Sequence, residues 1–314
     1  MDNKVFLRNV VGEYMNTLGS RNPKVVVVNA DLAVTCRNTL FAKEFPTRTF
    51  NVGIAEQNMV SFASGLAHEG FKPYVFSMAP FLSMRACEQV RTDVAYGNKN
   101  VKLIAVYAGV SGGISGATHW AIEDCGIISS IPNMTIFEVS DGIIAKKIMD
   151  YSLTTSKPMY IRLGVDPVQN VHSSDLTIVE GGSEELISGK DGYILCSGVV
   201  VFKAVEASKM LKEKYGLDVG VIDMYSIKPL DKSAINKASK TNRIIVAQDH
   251  NVVGGLGSLI SQHLSENNLN CNFKILGITD EFSSMAHAPY LYSKYKLDCS
   301  GIVSSFLKLI SKGE

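Results

Sequence analysis

Neither sign of charge predominates: 31 lysines and arginines face 30 aspartates and glutamates, for a net charge of +1. That balance excludes the broad basic surface needed for bulk nucleic-acid binding or for docking on an anionic membrane. No run of about 18 apolar residues free of charge occurs, so no transmembrane helix is expected. The opening stretch MDNKVFLRNVVGEYMN has no continuous apolar segment of the secretory-signal kind. The six cysteines, Cys36, Cys87, Cys125, Cys196, Cys271 and Cys299, are scattered, with no C-x-x-C pair and no histidine at metal spacing. A reduced, cytoplasmic protein with no metal site of its own is the expectation. Internal repeats and low-complexity segments are missing too.

What is present is an alternation of short apolar strands and amphipathic helices. With 314 residues, of which 46% are hydrophobic and 19% charged, the chain can build about two ordinary globular domains. Val5 to Leu18 repeats apolar residues at helical spacing, and Val25-Val26-Val27-Val28 reads as a buried strand. Helices are expected over 58–67 and 82–95, and from Asp141 to Tyr151; strands are expected at 74–76, 102–107, 135–137 and 159–161. Residues 164–189 are irregular and rich in Asp, Ser, Gly and Pro, as a linker would be. The pattern then restarts with strands at 192–196, 218–223, 243–247 and 272–278, and helices at 202–215, 232–239, 256–265 and 302–311. The fold class is therefore α/β, with two doubly wound, mostly parallel domains over 1–170 and 190–314 and a linker over 171–189.

Two segments stand out chemically. Asn51-Val52-Gly53-Ile54-Ala55-Glu56-Gln57-Asn58-Met59 is a glycine turn leading into an apolar helix with one carboxylate on its first turn. By itself Glu56 can be an acid favoured by the helix dipole. Tyr107 to His119 holds four glycines in eight residues, which lets backbone pass close to a ligand, and ends in a histidine. By itself His119 can be an ordinary loop residue.

Together, and in this order, these segments resemble the C-terminal half of transketolase, in the form of the B chain of split, two-chain transketolases. The resemblance runs from about Arg8 to the C-terminus. It takes in Asp31-Leu32, Gly53-Ile54-Ala55-Glu56-Gln57, the loop ending in His119, Ile131-Pro132-Asn133-Met134, and Gln248-Asp249-His250 with Gly254-Gly255-Leu256-Gly257. It implies a pyrimidine-binding domain followed by a transketolase C-terminal domain. It also implies thiamine diphosphate as cofactor and transfer of a two-carbon ketol unit between a ketose phosphate donor and an aldose phosphate acceptor. On that reading Glu56 accepts a hydrogen bond from the aminopyrimidine ring and selects the tautomer that can activate the cofactor. Phe81 and Met78 lie against the ring, and Asp31 falls in the cofactor-side motif. His119 polarises the donor carbonyl. Arg8, Thr35 and Arg162 match residues that grip a terminal phosphate.

Two positions depart from the pattern. Ser115 stands where transketolases usually carry an aspartate that reads a substrate hydroxyl, and Tyr107 where a histidine helps at the phosphate. The sugar-reading part of the site is altered, so a specialised sugar, such as apulose phosphate or a sulfosugar, is compatible with it. In the second domain Glu281 to His287 departs as well, and His287 reads as structural or interfacial.

The G-D-G motif that holds the diphosphate and its divalent cation (Mg or Ca) is missing; the DG pairs are Asp141-Gly142 and Asp191-Gly192. The resemblance therefore implies a partner chain carrying that motif, in an α2β2 assembly. The alternatives are half of a decarboxylating thiamine enzyme, either 1-deoxyxylulose-phosphate synthase-like or a 2-oxoacid dehydrogenase β subunit, or a non-catalytic subunit that kept the fold.

Overall fold

A computed structural model of the chain describes residues 4–311. The first sheet is built from β2 (Val25–Asn29), β3 (Thr49–Asn51), β4 (Lys72–Met78), β5 (Lys102–Val106), β6 (Thr135–Val139) and β7 (Met159–Leu163). Each β2, β5, β6 and β7 residue is buried, because helices cover both faces of a parallel sheet. Those helices include α1 (Leu7–Arg21), α2 (Thr39–Glu44), α3 (Glu56–His68), α4 (Cys87–Gln89), α5 (Asp124–Ser129) and α6 (Gly142–Thr154). Asp141 caps α6 by accepting from the backbone N–H groups of Ile143 and Ile144, so that helix starts where a short acceptor meets the orphan donors. The N-terminal helix begins later than expected. Lys4–Phe6 is a strand, β1, paired antiparallel with β8 (Pro167–Gln169).

The second sheet contains β9 (Glu184–Ile187), β10 (Gly192–Cys196), β11 (Val219–Asp223), β13 (Arg243–Asn251) and β14 (Asn272–Ile278), in the order β14-β13-β10-β11-β9. It is packed by α7 (Val201–Tyr215), α8 (Lys232–Ser239), α9 (Leu256–Glu266), α10 (Ala288–Lys294) and α11 (Cys299–Ser311).

Three further features differ from the sequence expectation. The expected linker holds β9, which pairs antiparallel with β11 and closes an edge of the second sheet. A strand from within the second domain, β12 (Ser226–Lys228), crosses over and pairs antiparallel with β6 at the edge of the first sheet. The domains thus exchange backbone hydrogen bonds, and each hydrophobic cluster contains residues of both sheets. Lastly, the expected helix over 82–95 is not a regular α-helix. It is π-helical over Phe81–Arg85 and again over Val90–Ala95, with α4 between. Local widening of this kind re-aims side chains and is frequent beside functional sites. Among the described residues no helix is long and apolar enough to cross a membrane.

Candidate functional site

The carboxylate singled out in the sequence opens α3 at the end of a glycine turn. The Asn51 Oδ1 atom accepts from the N–H groups of Asp31 (2.9 Å) and Gly53 (3.1 Å), which fastens Asp31 beside that turn. Glu56 follows, 1% exposed, on the first turn of the helix. Its Oε2 accepts from Nη1 of Arg85 at 2.8 Å. The Arg85 guanidinium carbon lies 4.0 Å from the centroid of the Phe81 ring, and that ring meets the His119 ring edge-on at 5.8 Å. Glu56, Phe81 and His119, far apart in sequence, are therefore joined in one cluster through Arg85. Met78, the last residue of β4, is buried beside the base of the glycine loop, since it pairs in register with Val106. Nδ1 of His119 is engaged with the Thr118 hydroxyl at 2.8 Å.

Sequence reading missed Arg85. The signal was partial: the expected helix begins at Leu82, one residue after Phe81, and only its extension to Phe81 would set Arg85 four residues on, on the same face. The π-helical turn between them brings the guanidinium over the ring.

A second group gathers at Arg8. Its Nη1 donates to the Thr35 carbonyl and to the Tyr107 hydroxyl, both at 3.3 Å, and its guanidinium sits 5.7 Å from the Tyr107 ring centroid. Its Nε is buried without a protein partner. Thr35 contributes its backbone carbonyl here, not its hydroxyl. Ser115 lies in a single 3-10 turn, Gly113–Ser115, half-buried on the loop between Tyr107 and His119.

Arg162 requires a correction. It was expected to grip a substrate phosphate, but it is 1% exposed, and its donors are already committed. Nε donates to Asp124 Oδ2 (2.9 Å), Nη1 to Glu138 Oε1, and Nη2 to the carbonyls of Ala121 (3.1 Å) and Asp249 (2.8 Å). Its position on the fully buried β7 turns it into the seam between the domains, where no anion can reach it without breaking those bonds. Glu138 completes the seam by accepting from the Ser197 hydroxyl and from Gln248 Nε2, both at 2.7 Å. The Gly198 turn after β10 is pressed against the Glu138 carboxylate, where an added Cβ would come within 2.3 Å. This is the switch point of the second sheet, the crevice where open α/β sheets bind ligands. Here a side chain of the first domain fills it.

Asp124, Cys125 and His250 form a buried trio with metal-ligand chemistry. Asp124 already carries the Arg162 guanidinium, so a cation there would face a buried positive charge. A second buried ion group ties the domains near the linker. His172 meets Asp141 through Nδ1 at 2.9 Å and Asp223 through Nε2 at 3.2 Å. Burial works against the charged imidazole, but the two carboxylates outweigh it and hold the His172 pKa at about 10.

Comparison with known proteins agrees with this architecture. The chain matches the family model of the transketolase pyrimidine binding domain over residues 3–169, and that of the transketolase C-terminal domain over residues 181–302. It belongs to the transketolase family, a family of thiamine diphosphate enzymes. The putative transketolase C-terminal section of Methanocaldococcus jannaschii is 33% identical, over 98% of this chain and 96% of that one. The 6-deoxy-6-sulfo-D-fructose transketolase subunit SqwH of Clostridium sp. (strain MSTE9) is 32% identical, over 95% and 92%. A solved structure described as a split gene transketolase, inactive beta4 tetramer, superposes with a TM-score of 0.87 at 34% identity, covering 98% of each chain.

Proposed function

We propose that this chain is the pyrimidine-binding subunit of a split transketolase. It moves a two-carbon ketol unit from a ketose donor to an aldose acceptor, and a partner chain supplies the diphosphate and divalent-cation site. The observation that carries this reading is the Arg85 guanidinium. It is a flat, N–H-bearing cation that lies over the Phe81 ring and donates to the buried Glu56 carboxylate. Those are the contacts a planar aminopyrimidine would make, so the residues fit that half of thiamine diphosphate. Arg85 is half-exposed and long, and it can leave without unpacking the core.

Thiamine diphosphate, when bound, supplies the electron sink for the two-carbon unit. The residues of this chain do the rest of what falls to it. With that group bound, Glu56 would accept the ring N–H and so favour the tautomer that can be activated. Phe81 and Met78 would lie against the ring, and Asp31 borders the glycine turn that leads to Glu56. With Nδ1 of His119 occupied by Thr118, Nε2 is the nitrogen left to donate toward a substrate carbonyl. Arg8, backed by Thr35 and Tyr107, takes the anionic end of the sugar, and Ser115 reads a hydroxyl without bringing a charge. With Arg162 withdrawn into the seam, the anion grip rests on one arginine.

The test is reconstitution. The chain alone should transfer no ketol unit. Mixed with a partner that carries G-D-G, it should form an α2β2 complex that does, from a ketose phosphate with thiamine diphosphate and Mg. Robust transfer by the lone chain, or none by the complex on any anionic ketose, would refute the reading. In the active complex Arg8→Ala should lower kcat/KM for a phosphorylated donor about 10- to 150-fold, the value of one charge-assisted hydrogen bond. Hydroxypyruvate, which has no distal anion, should be affected much less.

A further inference from the structure

The glycine-rich loop is closed by the first domain and seated by the second. At its base Gly109 and Ala121 exchange two backbone hydrogen bonds, of 2.8 and 3.1 Å. Between them lie Ser115 and His119. Beneath the base, Asp249 of β13 accepts the Val110 N–H through Oδ1 at 2.9 Å. Gly109 has φ +64°, and an added Cβ would stand 2.1 Å from the Asp249 carboxyl carbon. Backbone and carboxyl are thus in direct contact, at a position only glycine can occupy. Farther out, a Cβ on Gly116 would meet Met285 at 2.9 Å, and one on Gly113 would meet the Ala286 carbonyl at 3.1 Å.

The other Asp249 oxygen faces the Tyr292 hydroxyl at 3.1 Å, and the same hydroxyl is 2.8 Å from Asp166 Oδ2. A phenol has one proton and can donate to one carboxylate. The second contact is favourable only if that carboxyl is protonated and donates to the phenol oxygen. The charged groups around this chain are few. Lys203 of α7 places its ammonium 3.2 Å from the Tyr292 ring centroid, with Asp298 and Glu206 farther out. Arg162 of β7 reaches the Asp249 carbonyl from the other side. Burial dominates, Arg162 and Lys203 offset it only in part, and Asp249 is raised to about 6. A cavity of about 320 Å³ lined by Asp166, Lys203 and Tyr292 lies alongside.

We propose that Asp249 is a positioning residue: its carboxyl accepts from Val110 and shares a proton with Tyr292 and Asp166. In this way the second domain, which places no residue in the cofactor cluster, sets the aim of His119. The effect on catalysis rests on the function proposed above; the seating of the loop does not.

Asp249→Asn and Asp249→Leu separate this role from mere filling of space. Asparagine accepts from Val110 through Oδ1 and donates to Tyr292 through Nδ2, as the protonated acid does. Leucine has similar volume and can do neither. In the full chain at pH 5, where a carboxyl with a pKa of about 6 keeps its proton, amide hydrogen exchange of residues 109–121 should accelerate about tenfold or more in Asp249→Leu, the effect of one buried hydrogen bond. In Asp249→Asn it should stay within about threefold of wild type. In the reconstituted complex, Asp249→Leu should lower kcat about tenfold with a smaller change in KM, and Asp249→Asn should restore it.

A raised acid pKa also predicts a sign. The unfolded chain loses this proton first, so this carboxyl's contribution to stability falls as pH rises from about 4 to about 6. Asp249→Asn should abolish that slope. Equal loop exchange in the two variants would overturn the proposal. If Asp249→Leu fails to fold, a slope retained in Asp249→Asn would overturn it instead. Loop exchange that splits as expected in a complex without ketol transfer would leave the seat standing and refute the function.

Discussion

Two charged groups in this protein use the same chemistry to opposite ends. In the cluster with Phe81 and His119, Glu56 is held by Arg85 through one hydrogen bond, and that arginine is 46% exposed. In the seam, Arg162 spends four hydrogen bonds on two carboxylates and two carbonyls and is 1% exposed. The first pair can be exchanged at little cost, because water takes over the half-exposed arginine while an entering donor takes over the buried Glu56 carboxylate. The second cannot, because any group left behind is a buried charge without a partner. An exchangeable contact suits a place where a ligand must enter. A saturated one suits a place where two domains must stay in register.

Removing Arg162 should have the largest effect on that comparison. Arg162→Ala leaves Asp124 and Glu138 buried and unpaired, and should cost about 3–5 kcal/mol in urea unfolding of the lone chain. A loss under about 1 kcal/mol would mean that the seam is not held by this residue. Glu56→Gln should have an effect of similar size on activity and almost none on stability. The change is isosteric and sits at a helix start, but it removes the acceptor proposed above to set the ring tautomer. Turnover of the reconstituted complex should fall by about 10²- to 10⁴-fold, with the urea midpoint nearly unmoved. Activity within a few-fold of wild type would separate Glu56 from the chemistry.

The other buried ion group, His172 between Asp141 and Asp223, sharpens the comparison through pH. Its folded pKa, about 10, lies above the ordinary 6.5 of a histidine. The stability it adds is therefore fully present below about pH 6.5 and drains away as pH rises toward 10. Asp141, held down to about 2 because the His172 hydrogen bond and backbone N–H groups outweigh its burial, loses its share only in strong acid. Unfolding free energy measured from pH 6 to 10 should decline in wild type and much less in His172→Gln. Parallel curves would show that the imidazole is not charged in the folded protein. The smallest effect belongs to Arg85. Arg85→Ala removes a competitor for the buried Glu56 carboxylate; the arginine side of the pair is screened by water and the entering ring replaces its hydrogen bond, so what is given up on exchange is about 0.2–1 kcal/mol. Thiamine diphosphate should bind the complex about 1.5- to 5-fold tighter by calorimetry. Weaker binding would mean that Arg85 holds the cofactor instead of yielding to it.

Most of the framework was legible in the residues themselves. The helix over 232–239 and the strand over 272–278 fall where the apolar period puts them, and the helix expected from Asp141 starts one residue later, capped by that side chain, because each depends on neighbours within a turn or two. Glu56 could be read as a helix-start carboxylate for the same reason. Membership of a family narrowed its role, yet no local pattern announced that Arg85 would cover it. The π-helical turns around Phe81 and Val90 were hidden too, since their spacing differs from an α-helix by a single residue.

Contacts between distant segments were out of reach of pattern alone. The run Met159-Tyr160-Ile161 reads as a strand with Arg162 just after it, and nothing there says whether that arginine faces water or a second domain. Packing decided this, by bringing Asp124, Glu138 and the Asp249 carbonyl around one guanidinium. The same holds for β12, whose three residues pair with the other domain's sheet, and for Asp249, which was visible only as part of a motif. Periodicity and capping are local free energies, and a sequence states them directly. The partner of a buried charge is chosen by topology, where the energy of leaving it unpaired acts only once the domains have met.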